Sequence, residues 1–112
     1  MNSSLKRQLL KTFALMISDL KDPNDVETFL KDFFDKVELE DYVKRLSILY
    51  WIKKGRDTDN IKRNLEATQK EIDEAKKLLK TKGIKLAIKN IEAEEFANVW
   101  SEKFKKFTSK DG

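Results

Sequence analysis

The residues of this chain that could do chemistry with a polyanion lie between positions 69 and 91. Gln69 and Lys70 come first, and their side chains carry groups that bind base edges, since a glutamine amide can pair with adenine and a lysine with guanine. From Ala75 to Ile91 the chain contains no acidic residue. Six lysines lie in that run: Lys76, Lys77, Lys80, Lys82, Lys85 and Lys89. Such a strip can follow phosphates, or it can be the solvated end of a helix whose dipole favours basic residues there.

Three acidic residues, Glu71, Asp73 and Glu74, interrupt the basic pattern. Glu71 closes the sequence "TQKE", a capping box in which Thr68 and Glu71 satisfy each other's backbone amides at a helix start. Asp73 would face a duplex unless it accepts a hydrogen bond from a cytosine amino group. It can also serve the helix dipole, which favours acids early in a helix.

Most other site chemistry is excluded by composition. The 112 residues include no cysteine and no histidine, so disulfides, thiolate or imidazole catalysis and most zinc sites are absent. No glycine-rich phosphate loop and no nucleophile–base pair is visible, and we expect neither enzymatic activity nor a cofactor. The net charge of +4 permits an anionic partner without requiring one.

No apolar stretch of this sequence approaches the roughly 18–20 residues that cross a bilayer. The opening "MNSSLKRQLLKTF" has basic residues within its apolar stretch, unlike a signal peptide. We therefore expect a cytoplasmic protein without a membrane partner. An amphipathic membrane-surface segment at Phe96–Phe107 is the alternative, but Glu94 and Glu95 precede it and core packing is favoured.

Apolar residues recur every three to four positions, which predicts an all-α fold with six helical segments. Asp22 and Pro23 are typical of a helix start, and Gly55 and Gly83 of helix ends. The expected segments are one beginning at Ser3 or Ser4 and ending at Leu20, one from Pro23 to about Phe34, one from Glu38 to about Lys54, one from Thr58 (as N-cap) to Leu65, one from Thr68 to about Lys82, and one from Ile84 with a possible break near Glu92–Ala93.

Eight aromatic residues lie at helical spacings, which favours core or dimer-interface positions over base-stacking platforms. They are Phe29, Phe33, Phe34, Tyr42, Tyr50, Trp51, Phe96 and Trp100. A chain of this length with so many aromatic residues needs a partner surface to bury them, and a second copy would supply one.

The fourth and fifth segments fit a helix-turn-helix, which requires apolar residues at five places where two short helices meet. Those places hold Ile61, Leu65, Ala67, Ile72 and Ala75. Two positions depart from the pattern. Lys62 replaces a small residue, and Glu66 stands where the turn prefers a glycine in a left-handed conformation.

The stretch from Glu40 to Lys80 resembles the Trp repressor-like superfamily. It has the long helix ending in a basic-glycine step, "KKG", the helix-turn-helix, and a second helix ending in "LLK". The preceding "DLKDPNDVETFLKDFF" is similar to the tryptophan-independent branch, and the likeness covers roughly residues 12 to 91. The resemblance implies one domain over residues 1–112 that forms an intertwined homodimer on double-stranded DNA. Its dimerisation helices would span 3–54 and 84–107, and its helix-turn-helix 58–82.

The resemblance also implies a set of DNA-contacting residues. They are Thr58, Lys62, Gln69, Lys70 and Asp73, continued by Lys76, Lys77 and Lys80. Arg45 matches one of two arginines that hold the corepressor in tryptophan-sensing members, which makes it a possible ligand-binding residue. The other position holds Glu74, which lacks the guanidinium needed to bind a carboxylate, so we expect no tryptophan sensing.

Two functions remain open at this point. The first is a homodimeric DNA-binding transcriptional regulator of the repressor type. The second is a helical dimer that binds a protein partner, with acids on the recognition helix having weakened DNA binding. The two differ in whether Asp73 and Glu74 face the groove or fold back on neighbouring lysines.

Overall fold

A computed structural model describes the backbone of residues 1–109 and the side chains of residues 1–95. Over this range the chain is all-helical, as predicted, and holds six helices. They are α1 (Ser3–Leu20), α2 (Pro23–Phe33), α3 (Lys36–Lys53), α4 (Thr58–Leu65), α5 (Gln69–Leu78) and α6 (Lys82–Ser109). None of these helices, as far as the structure describes them, combines the length and apolar character that a bilayer crossing requires.

The sequence predicts capping residues at four helix starts, and two of them differ in the structure. Asp22 caps α2 with Pro23 in its first turn, as predicted. The prediction that Ser3 or Ser4 caps α1 is wrong, because the Asn2 carboxamide accepts from the Leu5 amide at 2.8 Å. The prediction that Thr58 caps α4 is also wrong. Asp57 does so by accepting from the Asn60 amide at 2.8 Å, and a carboxylate is among the strongest N-caps.

The two glycines predicted to end helices behave differently. Gly55 follows α3 at φ 85°, and its N–H donates to the Ile52 carbonyl while the Arg56 N–H donates to that of Trp51. This pair of bonds is a Schellman ending. Gly83 ends nothing. Helix α5 stops at Leu78, where the Thr81 hydroxyl and N–H both donate to the Leu78 carbonyl, and Gly83 lies inside α6.

The last helix continues through the break considered near Glu92–Ala93, since α6 runs unbroken from Lys82 to Ser109. The predicted positions of Phe96 and Trp100 in a core or interface, and the amphipathic segment at Phe96–Phe107, lie outside the described side chains.

The chain divides into two compact units, one from Met1 to Tyr42 and one beginning at Val43. The first unit is held by a row of aromatic rings, Phe13, Phe29, Phe33, Phe34 and Tyr42, whose successive centroids lie 5.1 to 6.1 Å apart. Helices α1 and α2 contain no fully buried residue. Phe33 remains 59% exposed and Leu9 48%.

The second unit holds the core. Its buried residues come from helices α3 to α6 and from the turn between α4 and α5: Ile48, Leu49, Ile61, Ala67, Ile72, Ala75 and Ile88. Tyr50, Trp51 and Leu65 pack against this cluster. At the edge, Glu95 of α6 accepts a hydrogen bond from the Tyr50 hydroxyl and pairs with Lys54 Nζ at 3.4 Å. Arg56 lies over the Trp51 ring, 3.9 Å from its centroid.

Candidate nucleic-acid interface

The turn between α4 and α5 is short and places both helices on one core. Four of the five apolar positions expected at this junction are buried, Ile61, Ala67, Ile72 and Ala75, and Leu65 is half-buried against them. Ile61 is 1% exposed and Ile72 is fully covered. The small side chains of Ala67 and Ala75 allow the close approach that bulkier residues would block.

Glu66 adopts the left-handed conformation that the turn was expected to need, with φ 53° and ψ 40°. The Ala67 N–H donates to the Lys62 carbonyl at 3.2 Å and closes the end of α4. A residue with a Cβ in this conformation costs about 1 kcal/mol relative to glycine. Interactions around the turn must offset that cost.

The start of α5 is fixed by the predicted capping box. The Thr68 hydroxyl accepts from the Glu71 N–H at 3.1 Å, and the Glu71 carboxylate accepts from the Thr68 N–H at 3.0 Å. The pKa of Glu71 is lowered, first by the Thr68 N–H and then by Lys44. Glu71 is therefore turned toward the turn and away from the outer face of α5.

Lys44 of α3 ties this turn to the core helix, and its role was not predicted from the sequence. Its ammonium donates to the Glu66 carbonyl at 2.7 Å and pairs with Glu71 Oε1 at 3.1 Å. The partners lie 22 and 27 residues along the chain, and no local pattern announces a contact at that separation. The single ammonium of Lys44 therefore binds both the left-handed residue Glu66 and the capping-box acid Glu71.

The outer face of α5 lies opposite the buried Ile72 and Ala75. Its exposed residues are Gln69, Lys70, Asp73, Glu74, Lys76 and Lys77. On this face the Gln69 amide, through Nε2, donates to Asp73 Oδ1 at 3.0 Å. In the described part of the chain neither Asp73 nor Glu74 forms an ion pair with a lysine. Both carboxylates remain exposed to solvent.

The lysines that follow Lys77 along the chain are also exposed. Lys80, Lys82, Lys85 and Lys89 are exposed, as are Lys76 and Lys77 on α5. Together they are an exposed basic run without an intervening acid, which we call the lysine strip. A shallow depression beside it on α6 is lined by Leu86, Ala87, Lys89, Asn90 and Ala93.

Three of the residues expected at the site stand apart from this outer face. Thr58 occupies the first helical position of α4, and Thr58 and Lys62 are both half-buried. Arg45 is exposed on α3. Glu74 lies on the outer face of α5.

The site thus consists of a short helix pair on one apolar core, an outer face of mixed charge and the lysine strip. Comparison with known proteins found no relative: no protein-family model, no curated protein and no solved structure matches the chain.

Proposed function

We propose that this chain is a DNA-binding transcriptional regulator of the repressor type. It uses α4 and α5 as a helix-turn-helix, acts as a homodimer and does not sense tryptophan. The observation that carries the proposal is the α4–α5 junction. All five positions required for such a unit pack at one core, across a turn with a left-handed residue, and this leaves one face of α5 open to solvent.

The charges around that face support a polyanionic partner. On α5 the outer face carries Lys70, Lys76 and Lys77 against Asp73 and Glu74, and the lysine strip continues with four more exposed lysines. Since Glu71 is engaged by Thr68 and Lys44, its charge is compensated within the protein. A duplex approaching α5 would meet a surplus of positive charge that grows toward α6.

The proposal of a homodimer is supported by the unit from Met1 to Tyr42. Its apolar residues are left half-exposed or exposed, including Leu5, Leu9 and Phe33, and α1 and α2 bury none fully. Exposed apolar area of this kind is typical of an interaction surface. A two-fold dimer would also present two copies of α5, as recognition of successive major grooves requires.

The proposal excludes tryptophan as effector on chemical grounds. A tryptophan carboxylate needs a cation, and Glu74 offers a second carboxylate at the position where the family that the sequence resembles has an arginine. Arg45 alone remains of that arginine pair, and its guanidinium can serve DNA, another ligand or the protein's own ion pairs.

Equilibrium binding to a random-sequence duplex across a salt series tests the proposal. We expect log Kd to rise with log salt with a slope of several units, as multiple phosphate contacts require. Replacing Lys76 and Lys80 by glutamine should lower the slope by about one unit for each phosphate that the variant no longer binds, because each bound phosphate releases about one counterion. Lys53→Gln, at another exposed lysine, should leave the slope unchanged. Absence of binding at low salt would refute the proposal.

The second candidate is a helical dimer that binds a protein partner, and the exposure of Asp73 and Glu74 on α5 favours it. Two carboxylates facing a phosphate backbone oppose binding, whereas a basic protein surface would accept them. The double variant Asp73→Asn/Glu74→Gln separates the two candidates. If only the double variant binds the random duplex, the acids suppress DNA binding in the natural chain and the protein-interaction function is favoured.

A further inference from the structure

We infer that Lys70 and Asp73, aligned by Gln69, read one cytosine–guanine base pair in the major groove. Asp73 would accept from the cytosine N4 amino group, and Lys70 would donate to guanine O6 and N7. This inference rests on the proposed function and names the base pair that the outer face of α5 selects.

The hydrogen bond between Gln69 and Asp73 runs from the amide to the carboxylate. Gln69 Nε2 donates to Asp73 Oδ1 at 3.0 Å. One N–H of the Gln69 amide is therefore bonded to a residue of the same helix. The bond fixes one oxygen of the Asp73 carboxylate and leaves the second oxygen, which can only accept. A base that binds the Asp73 carboxylate must therefore supply a donor.

The position of Gln69 and Asp73 on α5 is fixed by the cap and the core. Gln69 follows the capping residue Thr68 directly, and the capping box sets the first turn of α5. Ile72, the neighbour of Asp73, is fully buried and prevents rotation of the helix about its axis. Asp73 and Lys70 are three residues apart, so their side chains are neighbours on the surface of one helix.

The hydrogen-bonding groups on base edges differ between the base pairs. A guanine–cytosine pair presents two acceptors on guanine and one donor, the amino group, on cytosine. Asp73 and Lys70 match these groups with opposite polarity. A guanine or thymine placed against Asp73 would bring oxygen against carboxylate. With thymine there, the paired adenine would also offer Lys70 a single acceptor, N7, in place of the two on guanine. Adenine is the second choice, since it too carries an amino group.

In vitro selection from a pool of random-sequence duplexes tests the inference. The natural chain should enrich a cytosine–guanine pair at one fixed place in each half-site. Asp73→Asn should move that preference toward adenine, which an asparagine amide binds through N6 and N7. Glu74→Gln, the neighbouring exposed acid, should strengthen binding at all sequences and keep the same preferred base. Circular dichroism of each variant verifies that it remains helical.

A base analogue gives the direct test of the amino group. In the selected duplex the cytosine is replaced by 2-pyrimidinone, which lacks the 4-amino group. The natural chain should lose affinity by about tenfold or more, as expected for one base contact. Asp73→Ala should bind both duplexes equally.

The failures of the two proposals differ. If the natural chain binds both duplexes equally, or if Asp73→Ala selects the same base at every position, this inference is overturned while the proposed function stands. If no duplex is enriched or bound at low salt, the proposed function is overturned and this inference with it.

Discussion

Lys44 connects α3 to the turn that precedes α5. Replacing Lys44 by methionine tests this role. The substitution keeps a long unbranched side chain of similar helix propensity but removes the ammonium. Two interactions disappear with it: the 2.7 Å bond to the Glu66 carbonyl and the 3.1 Å ion pair with Glu71. Because the Lys44 side chain is 27% exposed and that of Glu71 37%, both are screened by water.

The expected loss of stability follows from these exposures. A partly exposed ion pair contributes about 0.5 kcal/mol, and a charged hydrogen bond to a carbonyl about 1 kcal/mol once solvent screening is included. Lys44→Met should therefore lower the free energy of unfolding by about 1.5 kcal/mol, which corresponds to a fall of about 6 °C in Tm for a chain of this size. Thermal unfolding followed by circular dichroism measures this, with Lys53→Met on the same helix as the control.

The pH dependence distinguishes the ion pair from the carbonyl bond. The folded-state pKa of Glu71 is lowered, so its ionised form contributes stability that is present above the ordinary glutamate pKa. That stability is lost as pH falls through the folded pKa. The difference in Tm between the natural chain and Lys44→Met should shrink over this range but persist in part, since the Glu66 carbonyl does not titrate. Equal Tm values for Lys44→Met and Lys53→Met at neutral pH would refute the reasoning.

Two further predictions concern the same turn and its core. Glu66→Gly should raise the free energy of unfolding by about 1 kcal/mol, because glycine adopts the left-handed conformation without the Cβ clash and the carbonyl that binds Lys44 is retained. Urea denaturation measures this, and an unchanged or lower midpoint would show that the conformation carries no such cost. Ile72→Ala should lower the free energy of unfolding by about 2–5 kcal/mol, since the side chain is fully buried and its removal leaves a cavity. A smaller effect than that of Lys44→Met would contradict the assignment of Ile72 to the core.

Local signals in the sequence predicted most of the helix boundaries. The capping box at Thr68 and Glu71, the Asp22–Pro23 start and the glycine at position 55 are confirmed, because each depends on contacts within a few residues. Gly83 misled the prediction for α5. A glycine is compatible with a helix end but does not require one, and the bonds from Thr81 to the Leu78 carbonyl end the helix earlier.

The candidate site was predictable to the extent that it depends on spacing. The five apolar positions around the α4–α5 turn and the left-handed Glu66 were identified from periodicity and turn chemistry. Lys44 was not, since its partners are distant in sequence and a lysine in a helix is equally consistent with a solvated position. The bond between Gln69 and Asp73 is a four-residue contact that the spacing permits, but spacing does not reveal which amide atom donates.

Helices α4 and α5 are only eight and ten residues long. Isolated helices shorter than about 12–15 residues are marginal in water, so neither would persist without tertiary contacts. Their ordering depends on Ile61 and Ile72 reaching Ile48 and Leu49 of α3. The outer face of α5 therefore forms in the same cooperative step as the core, and partially folded chains do not display it. In a cell, the number of chains that present the outer face of α5 would then be proportional to the folded fraction of the protein.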